Sequence, residues 1–222
     1  MTPIQRPPCI LGVGKNYQDH VDELKGERPQ HAVVFYKNPA CVIGNGEPIV
    51  IPPIARTAEL GVDYEGELAV VLGRDARDVP EADALGVISH LAVANDVSQR
   101  WWQKHTDGGQ WCRAKSFDTF CPLSEPVPLD AVADLQNLAL ETRLNGELVQ
   151  QANTGLMIFS VANLIAQLSS GTTLVAGTVI LTGTPGGVGM GRTPMRFLRA
   201  GDRVEITIAG VGCLSNPVVD GV

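Results

Sequence analysis

Residues 63–73 read DYEGELAVVLG, and this stretch limits the fold more than any other. Leu68 to Leu72 is a continuous apolar run, the pattern of a strand packed on both faces. Asp63, Glu65 and Glu67 precede it two residues apart. Side chains alternate along a strand, so the three acids, followed by Ala69 and Val71, share one face. Carboxylates so placed repel one another and resist desolvation. The segment therefore asks for a compensating positive charge at the head of a core strand.

The remaining pattern is strand-rich. Residues 9–14, 32–39, 48–53 and 86–98 read as short apolar or extended segments, several ended by proline. Asn145-Gly146 between two alternating runs predicts a two-residue hairpin over 138–151. The clearest helix is 160–171: Ser160 caps it, Val161, Leu164, Ile165 and Leu168 form one apolar face, and Gly171 ends it. Residues 16–26 have weaker helical character. Residues 178–191 read as a strand entering a glycine-rich loop, 202–210 as an alternating strand, and the apolar, glycine-rich segment from Ala209 to Val222 as ordered against the body. Strands do not alternate with helices as in a Rossmann fold. The glycine loop matches neither a dinucleotide nor a P-loop pattern. The expectation is one domain over residues 1–222, mostly β (α+β), with a mixed sheet or roll and few short helices.

Composition narrows the function. A net charge of −7 argues against nucleic acid as a partner, although a bound cation can still attract an anionic substrate. No stretch approaches the ~20 apolar residues of a membrane span, and MTPIQRPPC has no signal-like apolar region. Cys9, Cys41, Cys112, Cys121 and Cys213 are odd in number and form no CxxC pair, which suits reduced thiols in the cytoplasm.

Glu65 and Glu67 could form a solvated strand edge or an internal ion-pair site. They could also bind a hard metal if a third oxygen ligand came from elsewhere. Asp96, at the end of another apolar strand, is the candidate, and an all-oxygen set favours Mg²⁺ or Mn²⁺ over Zn²⁺. Asp63 shares the parity but sits further out. His20 and Glu23 are one helical turn apart, where the carboxylate can orient the imidazole and raise its basicity as a general base. A histidine beside an acid on a surface helix is the competing interpretation. Arg100, Gln103, Lys104 and His105 follow Asp96, and Lys115 lies between apolar neighbours. Thr182 and Thr184 sit at a strand end, where they serve either a tight turn or, with Lys115 and backbone N–H groups, a cradle for a substrate carboxylate. Trp101 and Trp102 read as packing residues.

The strings GVGKNYQDHVDEL, VDYEGELAVVLG, VANDVSQRWWQ, AKSFDTFCPL, LNGELVQQANTGLMIF, VILTGTPGGVG and GDRVEITIAGVGCLSNPV together resemble the fumarylacetoacetate hydrolase family. The likeness is to its short single-domain branch, closest to acylpyruvases and oxaloacetate decarboxylases. It implies a β-rich roll, a homodimer and one Mg²⁺ or Mn²⁺ held by Glu65, Glu67 and Asp96. It also implies that His20 and Glu23 lie on a mobile lid of about residues 16–30, that Lys115 is catalytic, and that Arg100, Gln103 and Thr184 contact substrate. Lys15 stands where relatives often carry arginine, which bears on substrate contacts, and Ala114 stands where they often carry glycine.

The expected chemistry follows from charge. A 2-oxo acid or 1,3-diketo acid can chelate the ion, and breaking its C3–C4 bond leaves an enolate that the ion stabilises. Acylpyruvate hydrolysis and oxaloacetate decarboxylation both pass through that anion. An isomerase or tautomerase would reprotonate it instead. A metal-stabilised binding domain without chemistry is the non-enzymatic alternative, against which the His20–Glu23 pair counts.

Overall fold

A computed structural model describes residue 4 and residues 6–56 and 60–222. In chain order its strands are β1 (Ile10–Gly14), β2 (Val33–Lys37), β3 (Val42–Ile43), β4 (Ile49–Ile51), β5 (Val62–Asp63), β6 (Gly66–Leu72), β7 (Ile88–Asn95) and β8 (Ser98–Gln99). They continue with β9 (Cys121–Pro122), β10 (Val127–Pro128), β11 (Ala139–Leu144), β12 (Glu147–Asn153), β13 (Val179–Leu181), β14 (Arg203–Ile208) and β15 (Gly212–Asp220). The α-helices are short: α1 (Gln18–Glu23), α2 (Arg100–Lys104), α3 (Trp111–Ala114) and α4 (Val161–Ser169). Among the described residues no helix is long and apolar enough to cross a membrane, and no cysteine is in a disulfide.

Two mixed sheets pack face to face. The larger runs β10-β7-β6-β13-β1-β2, with only the β1–β13 pair parallel. The second runs β12-β11-β14-β15-β4, with only β15–β4 parallel. This is the mostly β, mixed architecture expected, with the segment after Ala209 supplying the strand between β14 and β4.

The burial of β6 shows how one strand serves two cores. Leu68, Val70 and Leu72 point between the sheets and join the main apolar core. Glu67, Ala69 and Val71 point the other way. There Ala69, Ala92 and Ala94 are covered by Cys41, Cys121 and Leu123 in a smaller cluster. Small residues on that face let the β3–β9 segment come close, and polar groups gather at its end.

Local signals formed their elements. Asn145 and Gly146 both adopt positive φ, 54° and 84°, as a primed hairpin turn requires. Ser160 Oγ accepts the Asn163 N–H at 3.1 Å and caps α4. Val161, Leu164 and Ile165 are buried as the helical period demands, while Leu168 is half-buried. Ser160→Ala should cost about 1 kcal/mol of stability, readable as a shift in chemical denaturation.

The acidic strand departs from expectation. It is not continuous: β5 ends at Asp63, β6 begins at Gly66, and β5 pairs with β8 rather than extending β6. The break has a long-range cause, because Asn95 Oδ1 accepts the Glu65 N–H at 3.0 Å and Gly66 lies under Thr142 and Gln150. A methyl at Gly66 would come within 2.2 Å of Thr142 Oγ1.

Candidate active site

The polar end of the smaller face is built from β6, β7 and the segments that cross them. Gly66 pairs with Asn95, and the Asp96 N–H donates to the Glu65 carbonyl at 2.9 Å. These two contacts set Glu65 and Asp96 side by side, with Glu67 two residues along from Glu65. One carboxylate oxygen from each of the three lies within 4.8 Å of the others, and all three residues are buried. Among the described residues no other group of three metal-ligating side chains occurs. Asp63 lies outside it. It accepts from Gly189 N–H, Met190 N–H and Arg100 Nε at 2.8–3.0 Å, so its carboxylate ties the glycine loop to α2.

Three buried cations answer these acids. Lys115 Nζ donates to Glu65 Oε2 at 2.7 Å, Asp96 Oδ2 at 2.5 Å and Ser98 Oγ at 2.6 Å. Arg100 pairs with Asp63 at 2.9 Å and with Glu65 at 2.7 Å, and donates to Gln103 Oε1 at 3.0 Å. Lys37 Nζ holds the other oxygen of Asp96 at 2.5 Å. Sequence reasoning missed Lys37. Its signal was the alternation of β2, where Lys37 falls on the buried side with Phe35 while Val34 and Tyr36 are exposed.

The acids divide electrostatically. Burial raises the Glu65 carboxyl, but the charges of Lys115 and Arg100 outweigh it and hold the group below the usual range. Glu67 is pushed well above the usual range, by burial first and then by the charges of Asp96 and Glu65. Its hydrogen bond from Gly183 N–H at 2.8 Å does not offset this. Glu67 is therefore the carboxylate still short of a counter-charge. A divalent cation within reach of all three groups would supply it, and the all-oxygen donor set fits Mg²⁺ or Mn²⁺.

Across the cavity, α1 presents a dyad. His20 Nδ1 lies 2.8 Å from Glu23 Oε1, and Glu23 Oε2 accepts the Gly187 N–H at 2.8 Å. With Glu23 as the acceptor, the proton sits on Nδ1 and the free lone pair on Nε2. Nε2 has no hydrogen-bond partner among the described residues.

One cavity of about 600 Å³, counted out to its mouth, joins His20, Glu65, Glu67, Lys115 and Thr184 to Arg100, Gln103 and Lys15. Of the residues singled out for the site, Asp96 reaches this space through the carboxylate cluster, Glu23 stands behind His20, and Thr182 lies outside it, its Oγ1 donating to the Leu68 carbonyl at 2.8 Å. Trp111, which the sequence did not single out, walls the same cavity.

Two expectations are corrected. The glycine loop offers no free cradle at Gly183, Gly187 or Gly189, because the N–H groups of these residues bind Glu67, Glu23 and Asp63. Thr184 Oγ1 likewise donates to the Gly66 carbonyl at 3.0 Å and accepts from Gln150 at 2.8 Å. The loop fixes the protein's own acids. The segment 16–30 is also not weakly held throughout: Tyr17 and Val21 are buried, and Asn16 bonds the Thr182 carbonyl at 2.7 Å and Phe159 N–H at 2.8 Å. Only the charged part after Leu24 is largely exposed.

Clustered buried carboxylates thus share one cavity with a histidine held by a glutamate. The fumarylacetoacetate hydrolase C-terminal family pattern matches residues 9–219. The chain belongs to that family. It is 42% identical over 220 residues to the oxaloacetate tautomerase FAHD2A, mitochondrial, of Homo sapiens, covering 99% of this chain and 69% of that protein. Its fold matches the 5-carboxymethyl-2-hydroxymuconate delta-isomerase of Mycobacterium smegmatis with a TM-score of 0.84 at 40% identity, covering 98% of this chain and 80% of that one. It matches the fumarylacetoacetate hydrolase of Exiguobacterium antarcticum with a TM-score of 0.85 at 40% identity, covering 97% and 76%.

Proposed function

We propose that this protein is a Mg²⁺- or Mn²⁺-dependent enzyme that moves a proton at C3 of a 2-oxo acid, interconverting enol and keto forms of the oxaloacetate class. The observation that carries this is that His20, held by Glu23, lines one cavity with Glu65 and Glu67 of the three-carboxylate cluster. The names of similar proteins, a tautomerase and an isomerase, support it.

Glu65, Glu67 and Asp96 would hold the ion. When bound it supplies Lewis-acid stabilisation of negative charge on the 2-oxo oxygen. The chain's own residues do the rest. His20 Nε2 takes the proton that leaves and returns one to C3, its ring orientation and tautomer fixed by Glu23. Gly187 N–H fixes Glu23 in turn. Lys115 lines the cavity with its three N–H donors held by Glu65, Asp96 and Ser98, and its charge would steady the oxygen on which charge develops. Arg100 holds Glu65 and orients Gln103 toward the substrate. The buried walls exclude bulk water, which strengthens each of these interactions.

Hydrolytic cleavage of the C3–C4 bond of an acylpyruvate uses the same machinery with one addition, a water that His20 would activate, whereas decarboxylation of oxaloacetate breaks that bond without water as CO₂ leaves. The similar protein named a fumarylacetoacetate hydrolase favours keeping that second reading. One panel separates the two: acetylpyruvate, fumarylpyruvate, maleylpyruvate and both oxaloacetate tautomers, each with Mg²⁺ and with EDTA. The expected result is loss of enol absorbance from oxaloacetate faster than any release of pyruvate, and only with metal. Faster pyruvate release from an acylpyruvate would establish the cleavage reading instead. No metal-dependent change in any substrate would overturn both.

A further inference from the structure

The second sheet reaches the carboxylate strand through a bulge in β12. Gln150 stands opposite Thr142, and Leu148 stands opposite Arg143, so Val149 is an extra residue on that strand. A β-bulge breaks the alternation of a strand and re-aims a side chain. Val149 and Gln150 are accordingly both buried, although they are neighbours. Val149 joins the main apolar core, while Gln150 carries an amide into it. A buried amide is costly unless its hydrogen bonds are made.

All three kinds of contact that this amide can make go to the site's backbone and loop. Its Oε1 accepts the Gly66 N–H at 3.0 Å, and its Nε2 donates to Thr184 Oγ1 at 2.8 Å and to the Pro185 carbonyl at 2.9 Å. Thr184 Oγ1 in turn donates to the Gly66 carbonyl at 3.0 Å. The first contact holds the peptide between Glu65 and Gly66, and the last holds the peptide between Gly66 and Glu67. These two peptides set the spacing of the two carboxylates. The same amide ties them to the loop whose Gly183 N–H binds Glu67 Oε2 at 2.8 Å. The loop is shaped to the bulge: Gly187 has φ 101°, and a methyl there would come within 2.0 Å of the Val149 carbonyl oxygen. Gln150 does not itself line the cavity.

We infer that Gln150 is a positioning residue for the carboxylate cluster. It fixes the spacing of Glu65 and Glu67 and the seat of the glycine loop on Glu67, and so raises the affinity of the cluster for a divalent cation without touching the ion. This rests on the metal-site reading above and extends it to the other sheet.

The test is titration of the full chain with Mn²⁺, followed by the electron paramagnetic resonance signal of the free ion, at a temperature where circular dichroism shows each variant folded. Gln150→Met keeps the length of the side chain and loses the amide. It should weaken Mn²⁺ binding by about 10–100-fold, the usual cost of losing a group that supports a metal ligand. Gln150→Asn, whose amide falls one methylene short of Gly66, should do the same and serves if the Met variant does not fold. Thr184→Val removes the hydroxyl between Gln150 and the Gly66 carbonyl and should weaken binding by less. Both act through Gly66, so the double variant should bind about as weakly as Gln150→Met alone. Thr142→Val is the control. Thr142 is buried over the same glycine, and its Oγ1 has no hydrogen-bond partner among the described residues, so its loss should leave the affinity unchanged. Wild-type affinity in Gln150→Met and Gln150→Asn, an equal loss in Thr142→Val, or fully additive losses in the double variant would overturn the positioning role alone. Failure of the wild type to bind Mn²⁺ would overturn the metal-site reading and the positioning role together.

Discussion

His20→Ala should lower turnover of a 2-oxo acid by roughly 10²–10⁴-fold, the usual contribution of a positioned acid–base group, while leaving Mg²⁺ binding in place. His20 touches none of the three carboxylates through a hydrogen bond; its one side-chain partner is Glu23. The metal-binding arm of the experiment, read by calorimetry, therefore separates loss of the base from collapse of the site. Glu23→Gln should also slow turnover, by less. An amide can still meet the ring but no longer stabilises the imidazolium. Full activity in His20→Ala would remove the base assignment.

Glu67→Gln should weaken Mg²⁺ binding by about 100-fold or more, beyond the range measured for groups that only support a metal ligand. The same substitution should have the opposite effect on the metal-free fold. Glu67 titrates above its ordinary value of 4.5 because burial and the neighbouring acids disfavour its charge. A group raised in the folded state adds stability that is complete below the unfolded value and is lost as pH rises toward the folded one. In EDTA, the wild-type melting temperature should therefore fall as pH rises above about 4.5, and the Gln variant should show a shallower slope, the remainder coming from Asp63, which burial also raises. Glu65 cannot mask the effect, because its folded value is depressed and its contribution changes below the ordinary range. A slope unchanged in Glu67→Gln would assign the titration elsewhere.

What the sequence made legible was local or periodic. The Asn145-Gly146 hairpin, the Ser160-capped helix and the apolar core of β6 each carry their cause within a few residues. The carboxylate cluster was legible for a related reason: strand parity put Glu65 and Glu67 on one side, and Asp96 ended another apolar strand. Long-range contacts set the remaining features. The Asn95 side chain, thirty residues away, and Thr142 and Gln150 over Gly66 explain why the acidic strand breaks at Tyr64–Glu65. The parallel partner of β1 is β13, with Ile10 opposite Val179, and no local pattern specifies that pairing. Lys37 was hidden because a lysine closing a strand looks like an edge residue until Asp96 is found beside it. The glycine loop was misread because its free N–H groups could be counted in the sequence, but the carboxylates that bind them come from α1, β5 and β6.

Entry of solvent deuterium at C3 is the most direct measurement. Oxaloacetate is followed by NMR in D₂O with wild-type protein and Mg²⁺, with EDTA, and with His20→Ala, each against the protein-free rate. The expected result is exchange well above the protein-free rate for wild type with Mg²⁺ only, with both other samples at or near background. Exchange that is no faster than background, or that is unchanged by EDTA or by loss of His20, would contradict proton transfer at C3 by this dyad beside a cation held by Glu65, Glu67 and Asp96.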